Sequence, residues 1–110
     1  MSEVIEYKMP SYAELESAPA DGFTLQVGPE EHMQVERTVL RIGTAMSAEY
    51  ECYAIVFALP QGVSLPQAVF RVRGPNPQEQ EWLLLMTPIK PEPDGRNAME
   101  AVIHRLRGAA

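Results

Sequence analysis

The sequence predicts a mainly β protein: a single small antiparallel barrel or rolled sheet of about six strands, with a short N-terminal helix. Ten prolines punctuate the chain. Between positions 19 and 93 only 30–59 is a proline-free stretch long enough for a substantial helix, because proline is excluded from helix interiors. Several segments alternate apolar and polar residues, as half-buried strands do. Two others, Cys52–Leu59 and Trp82–Ile89, are apolar on both faces and are predicted to be central strands.

The first predicted element is the helix in "SYAELESAPAD". Ser11 and Glu14 have the spacing of a capping box, in which each side chain accepts a hydrogen bond from a first-turn amide. Pro19 and Gly22 end this helix after about two turns. Residues 1–10 are predicted to form an N-terminal tail and residues 11–110 a single domain, since a chain of 110 residues has room for one core.

A change of face marks the segment "HMQVERTVLRIGTA". Met33 and Val35 lie on one face of an extended chain, whereas Leu40 and Ile42 lie on the other. A strand of period two changes face only where one residue is looped out. The sequence therefore predicts a β-bulge or sharp bend near Glu36–Val39.

Two alternating segments, Phe23–Val27 and Ala68–Arg73, are predicted to flank the central strands. In the second, Arg71 and Arg73 project to the same solvated side. Two guanidinium groups so placed could pair with a carboxylate-bearing partner. The alternative is cross-strand pairing with an acidic residue of this chain.

The closing segment "RNAMEAVIHRLRGAA" fits two shapes. As a helix it aligns Met99, Val102, Ile103 and Leu106, and Asn97 could cap it. As a strand it places Met99 and Ile103 on one face together with the alanine between them. We predict a strand, because the segment follows a Pro-Asp-Gly turn and a preceding strand that needs partners at both edges.

Charge and composition exclude several classes of function. The net charge of −6 argues against nucleic acid and against an anionic membrane surface, since both need clustered Lys and Arg. One cysteine rules out an internal disulfide. The N-terminus lacks the apolar region of a signal peptide, and the longest apolar run, "CYAIVFALP", has the length of a strand. We expect a cytoplasmic protein that binds neither nucleic acid nor membrane.

No pattern of reactive residues predicts catalysis. Cys52 has neither a cation nor a base beside it in the sequence, and we expect it to be buried. The sequence indicates no residue that would orient the His104 imidazole for catalysis. His32 in "EEH" lacks the recurring ligand spacing of a metal site. The sequence therefore predicts a protein that is not an enzyme, with no catalytic, cofactor-binding or metal-binding residue. An enzyme using Cys52 or His104 would need one of them exposed in a cleft.

The order of elements resembles a family of small uncharacterised bacterial domains. The segments that carry the resemblance are "SYAELESAPADGFTLQV", "AIVFALPQG", "LPQAVFRV" and "LLLMTPIKPEPDGRNAMEAVIHRL". Phe70 and Met99 stand where the family pattern has tyrosine, and Ile103 where it has phenylalanine. The family's corresponding segment at Met99–Ile103 is a strand. Its members look like neighbours of phage-tail-collar-like proteins, so the resemblance implies an accessory or assembly role.

The predicted function is a non-enzymatic interaction or assembly module that binds a protein partner or itself, and the resemblance implies an accessory role in a phage-tail-like structure. Arg71 and Arg73 are its candidate interaction residues. The alternative is a small-ligand-binding barrel in which Trp82, Tyr53 and Phe57 line an interior pocket. Trp82 and Tyr53 could also anchor an interface, although a core role is the simpler interpretation.

Overall fold

The computed structural model describes residues 9–44, 48–76 and 80–106. Its elements are α1 (Tyr12–Ser17), β1 (Phe23–Gln26), β2 (His32–Ile42), β3 (Tyr50–Ala58), β4 (Ala68–Arg73), β5 (Glu81–Ile89) and β6 (Ala98–Leu106). The strands form a closed barrel in the order β1-β2-β3-β6-β5-β4, and every pair is antiparallel. The predicted fold class is confirmed. Of the predicted tail 1–10, only Met9 and Pro10 lie within the described residues.

Helix α1 forms where the capping box predicts it. The Ser11 hydroxyl accepts a hydrogen bond from the Glu14 amide at 3.1 Å, and the Glu14 carboxylate accepts one from the Ser11 amide at 3.3 Å. Leu15 of this helix belongs to the barrel core. Arg37 of β2 donates hydrogen bonds to the carbonyls of Leu15 and Ala18. The end of α1 is thereby attached to the barrel wall.

The predicted irregularity in β2 is confirmed. The register between β2 and β3 shifts between Arg37 and Val39, so one residue of β2 has no counterpart in β3. β2 pairs with β1 over His32–Val35, where Val35 is buried, and with β3 from Glu36 onward. Leu40 then packs against the core, as a change of face requires. The bulge therefore lies inside the part of β2 that pairs with β3, just after the change of neighbour.

The closing segment is a strand, as predicted. β6 pairs with β3 along all nine of its residues. Met99, Ala101 and Ile103 point into the core, each at most 3 % exposed. Asn97, the candidate helix cap, instead donates its side-chain amide to the Val63 carbonyl at 2.7 Å.

The barrel interior is filled by apolar side chains. Phe23 and Phe57 are in contact there, with ring centroids 5.2 Å apart. The largest side chains that are less than 2 % exposed are Tyr53, Phe23, Phe57, Leu15, Leu25, Ile55, Leu59, Leu84, Met86, Met99 and Val72. Residues from the helix and from all six strands thus share one core.

The outer faces of the two doubly apolar strands differ. In a closed barrel every strand has two neighbours, so the expected distinction between central and flanking strands does not apply. On β3, Ala54 and Val56 point outward yet are only 8 % and 3 % exposed. The ion pair between Arg41 of β2 and Glu100 of β6 (2.9 Å) spans β3 at their level and covers them. On the outer face of β5 the Arg71–Glu81 ion pair lies beside Leu83, whereas Leu85 is 55 % exposed.

Candidate functional site

Three large apolar side chains lie exposed on the outside of three neighbouring strands. Val69 of β4 is 59 % exposed, Leu85 of β5 55 % and Val102 of β6 66 %. Val69 is directly opposite Leu85 in the ladder. Leu85 and Val102 each lie two residues beyond Thr87 and Glu100, where the ladder between β5 and β6 ends. We call Val69, Leu85 and Val102 the outer apolar strip.

The sequence of β5 explains part of this strip. "EWLLLMTPI" is apolar at consecutive positions, but only alternate residues of a strand can face the core. Trp82, Leu84 and Met86 take the inner positions and are at most 2 % exposed. The remaining leucines must then point outward. Sequence reasoning missed the strip because an apolar run was interpreted as burial on both faces.

Arg71 and Arg73 share this outer face, beside Val69. Arg71 Nη1 lies 2.5 Å from Glu81 Oε1, and Arg73 Nε lies 2.9 Å from Glu81 Oε2. Glu81 is the ladder partner of Arg73 on β5. Cross-strand pairing with the chain's own acid is thus the arrangement that the structure shows. The hydrogen bond from Arg71, together with that from Arg73, holds the pKa of the Glu81 carboxyl below its usual range against the opposing effect of burial.

Cys52 and His104 are brought together, which the sequence did not indicate. They are direct partners in the β3–β6 ladder, where side chains on one face lie close. Cys52 is half-buried rather than buried, and His104 is exposed, with its ring 5.0 Å from that of Tyr50. His32 lies elsewhere on the wall, paired with Gln26 of β1.

Metal ligands do not cluster in the part of the chain that the structure describes. Within residues 9–44, 48–76 and 80–106, no group of three or more His, Cys, Asp or Glu side chains could hold an ion. The same ranges contain no helix with the length and apolar character needed to cross a membrane.

The three aromatic residues considered for an interior pocket are core residues. Tyr53, Phe57 and Trp82 are at most 2 % exposed and belong to one buried cluster. The Tyr53 hydroxyl donates a hydrogen bond to the Pro10 carbonyl. Burial is the main cause that raises the pKa of Tyr53 far above its usual value, and the nearby Glu51 carboxylate adds to it. The core interpretation of Trp82 and Tyr53 agrees with this packing.

Fold and surface together define a small six-stranded antiparallel β-barrel with one capped helix and an exposed apolar strip. Residues 10–103 match the model of the family described as Domain of unknown function (DUF6916), and the chain belongs to this family. Comparisons with curated proteins and with solved structures gave no match. The predicted resemblance to a small uncharacterised domain is confirmed to this extent, whereas its bacterial origin and phage-tail association stay predictions.

Proposed function

We propose that the protein is a non-enzymatic interaction module that binds another protein through the outer apolar strip. The observation that carries this proposal is the position of three side chains, each more than half exposed, on adjacent strands of one wall. Single exposed apolar residues are ordinary on protein surfaces, but a contiguous patch is typical of a docking surface.

A comparison of the two outer faces supports the proposal. Over β3 the chain covers its own small apolar residues with the Arg41–Glu100 ion pair. At the strip, Val69, Leu85 and Val102 are each more than half exposed among the residues that the structure describes. Their exposure lowers solubility, and a partner that buries them would recover the free energy of removing apolar surface from water.

Arg71 and Arg73 border the strip on β4 and remain candidate interaction residues. Because both already pair with Glu81, a partner's carboxylate would have to share or replace that contact. We assign them a role in orienting the partner, secondary to the apolar contacts.

The alternative function, a small-ligand-binding barrel, requires space inside the barrel. The pocket would be lined by Tyr53, Phe57 and Trp82. These three side chains instead belong to one cluster of buried core residues. This packing favours the interaction module. An accessory role in a phage-tail-like assembly is the specific form of the module that the family resemblance implies.

The test uses the partner recovered from the native cell by affinity capture, identified and then purified. Leu85→Lys and Val102→Lys should each weaken its binding at least about tenfold, the loss typical of a central interface residue. Ile42→Lys is the matched control, since Ile42 is 70 % exposed and lies outside the strip. Light scattering on the same variants shows whether the partner is a second copy. Equal binding by all three variants would contradict the proposal.

A further inference from the structure

The outward side of the β4–β5 ladder has an apolar end and a charged end. Val69 and Leu85 are direct ladder partners at the apolar end, and each is more than half exposed. Arg73 and Glu81 are direct partners at the charged end, and Arg71 lies between the two ends on β4. We call the outward residues of this ladder the β4–β5 face: Val69, Arg71, Arg73, Glu81, Leu83 and Leu85.

The charged end places two guanidinium groups on one carboxylate. Arg71 Nη1 contacts one oxygen of Glu81 at 2.5 Å, and Arg73 Nε contacts the other at 2.9 Å. These contacts use one N–H of each arginine, whereas a guanidinium group carries five donors. Because Glu81 is the only acidic residue of the β4–β5 face, the face carries one more positive than negative charge.

The neighbouring strand adds no negative charge at this end. Arg73 pairs on its other side with Thr24 of β1, which is neutral. The side chains of Arg71 and Arg73 are 34 % and 36 % exposed, so a partner can reach both. Ions screen the net charge of −6 of the whole chain over about 8 Å at physiological ionic strength. At contact distance the two arginines therefore decide which charge the face attracts.

We propose that the β4–β5 face binds an acidic segment of the partner protein. An apolar side chain of the segment rests on Val69 and Leu85, and a carboxylate lies at the two arginines and shares them with Glu81. This inference rests on the proposed function and specifies the chemistry of the partner. Burial of the apolar side chain contributes free energy, and charge-assisted hydrogen bonds from the guanidinium groups orient the carboxylate.

The spacing of the face sets the spacing within the segment. Along β4, Arg71 is two residues from Val69 and Arg73 is four, which corresponds to about 7 and 13 Å at the rise of a strand. In an extended segment the acidic residue therefore lies two to four positions from the apolar one. All these contacts are made by side chains on the outer surface, so the barrel stays closed.

Glu81 acts in this arrangement as an internal competitor for the partner's carboxylate. It accepts hydrogen bonds from both arginines, and its charge repels a second carboxylate placed beside it. Removal of the Glu81 charge should therefore tighten the binding of an acidic segment, and removal of an arginine should weaken it. A basic segment predicts the opposite signs, and a purely apolar contact predicts no change in either variant.

The experiment selects displayed random peptides against the full chain and measures their binding by calorimetry. The expected peptides carry Asp or Glu two to four positions from a large apolar residue. Arg73→Gln should weaken their binding about threefold, within the range of an exposed ion pair, and Glu81→Gln should strengthen it by about the same factor. A gain in affinity cannot come from unfolding of the variant.

Two further variants complete the experiment. Arg41→Gln is the matched control, because it removes the same charge from an arginine that is 63 % exposed and pairs with Glu100 away from this face. It should leave the affinity unchanged. Leu85→Asn removes the apolar contact without adding a charge and should weaken binding at least about tenfold.

The outcomes separate this inference from the proposed function. Peptides whose affinity falls in Leu85→Asn but is unchanged in Arg73→Gln and Glu81→Gln would overturn the inference and leave the proposed function intact. Basic peptides that Glu81→Gln weakens would do the same. Peptides that keep their affinity in Leu85→Asn as well would contradict both. Selection of no peptide at all would overturn the inference, while the captured partner tests the proposed function separately.

Discussion

At the scale of single residues, the side chains that organise this barrel are polar residues with contacts distant in the sequence. Arg37 is the clearest example. Its guanidinium donates to two carbonyls at the end of α1, and its backbone amide donates to the Ala20 carbonyl at 2.8 Å. The guanidinium carbon also lies 6.0 Å from the centroid of the Phe23 ring. No local pattern in the sequence indicates such a role, because the helix and Arg37 meet only in the folded chain.

Replacement of Arg37 by methionine should lower the free energy of unfolding by about 1.5–3 kcal/mol, the range for hydrogen bonds to a charged group. The matched control is Arg41→Met on the same strand. Arg41 is 63 % exposed and its ion pair should contribute at most about 1 kcal/mol. Urea unfolding of both variants measures the difference. Equal losses would show that Arg37 does not hold α1.

Tyr53 makes stability sensitive to alkaline pH. Its pKa is raised in the folded chain, so the folded state favours the neutral phenol. The resulting contribution is complete below the unfolded-state pKa of about 10 and is lost as the pH rises towards the folded-state pKa. Tyr53→Phe should remove this alkaline decline, whereas Tyr50→Phe, which keeps Tyr53, should retain it. Denaturant unfolding from pH 8 upward, in steps of about one unit, checks this. An unchanged decline in Tyr53→Phe would exclude Tyr53 as its source.

At the scale of elements, the sequence predicted what depends on local periodicity. The capping box predicted α1, and the change of face between Val35 and Leu40 predicted the bulge. The closing segment was ambiguous by periodicity and needed its context to be assigned as β6. The exposure of Leu85 was not predictable, because it depends on which side chains the neighbouring strands place beside it in the folded barrel.

Glu81, which links β4 and β5, should make the free energy of unfolding depend on pH in the acid range. Because the pKa of Glu81 is lowered in the folded chain, its contribution is present above the unfolded-state pKa of about 4.3 and is lost as the pH falls through the folded-state pKa. Glu81→Gln should be less stable at neutral pH and should show a shallower acid decline. Glu30→Gln, in the exposed turn after β1, is the control. Thermal unfolding as a function of pH distinguishes them, and identical acid profiles would contradict the role of Glu81.

At the scale of the whole molecule, the apolar residues divide into an inner set that stabilises the barrel and an outer set that does not. Closure of the barrel depends on the pairing of β1 with β4, in which Leu25 meets Val72. The sequence predicted a barrel or rolled sheet without choosing between them. Contacts between residues so far apart in the chain leave no local periodic signal, which is why closure itself required the structure.

The two sets should differ in their effect on stability. Phe57→Ala, in the core, should cost about 3–5 kcal/mol of the free energy of unfolding. Leu85→Ala, in the strip, should change it by no more than about 0.5 kcal/mol, as for an exposed site. Urea unfolding measures both. A large loss in Leu85→Ala would mean that the strip is structural and would weaken the proposed function.

The most direct test of the account is a methyl NMR titration of the full chain with its purified partner. Binding through the strip predicts that the methyl signals of Val69, Leu85 and Val102 shift together and saturate with the partner. The signals of Ile42, exposed on β2, should stay in place. Shifts confined to Ile42 or to other surfaces, with the three strip residues unmoved at saturation, would contradict the claim that this wall of the barrel is the binding surface.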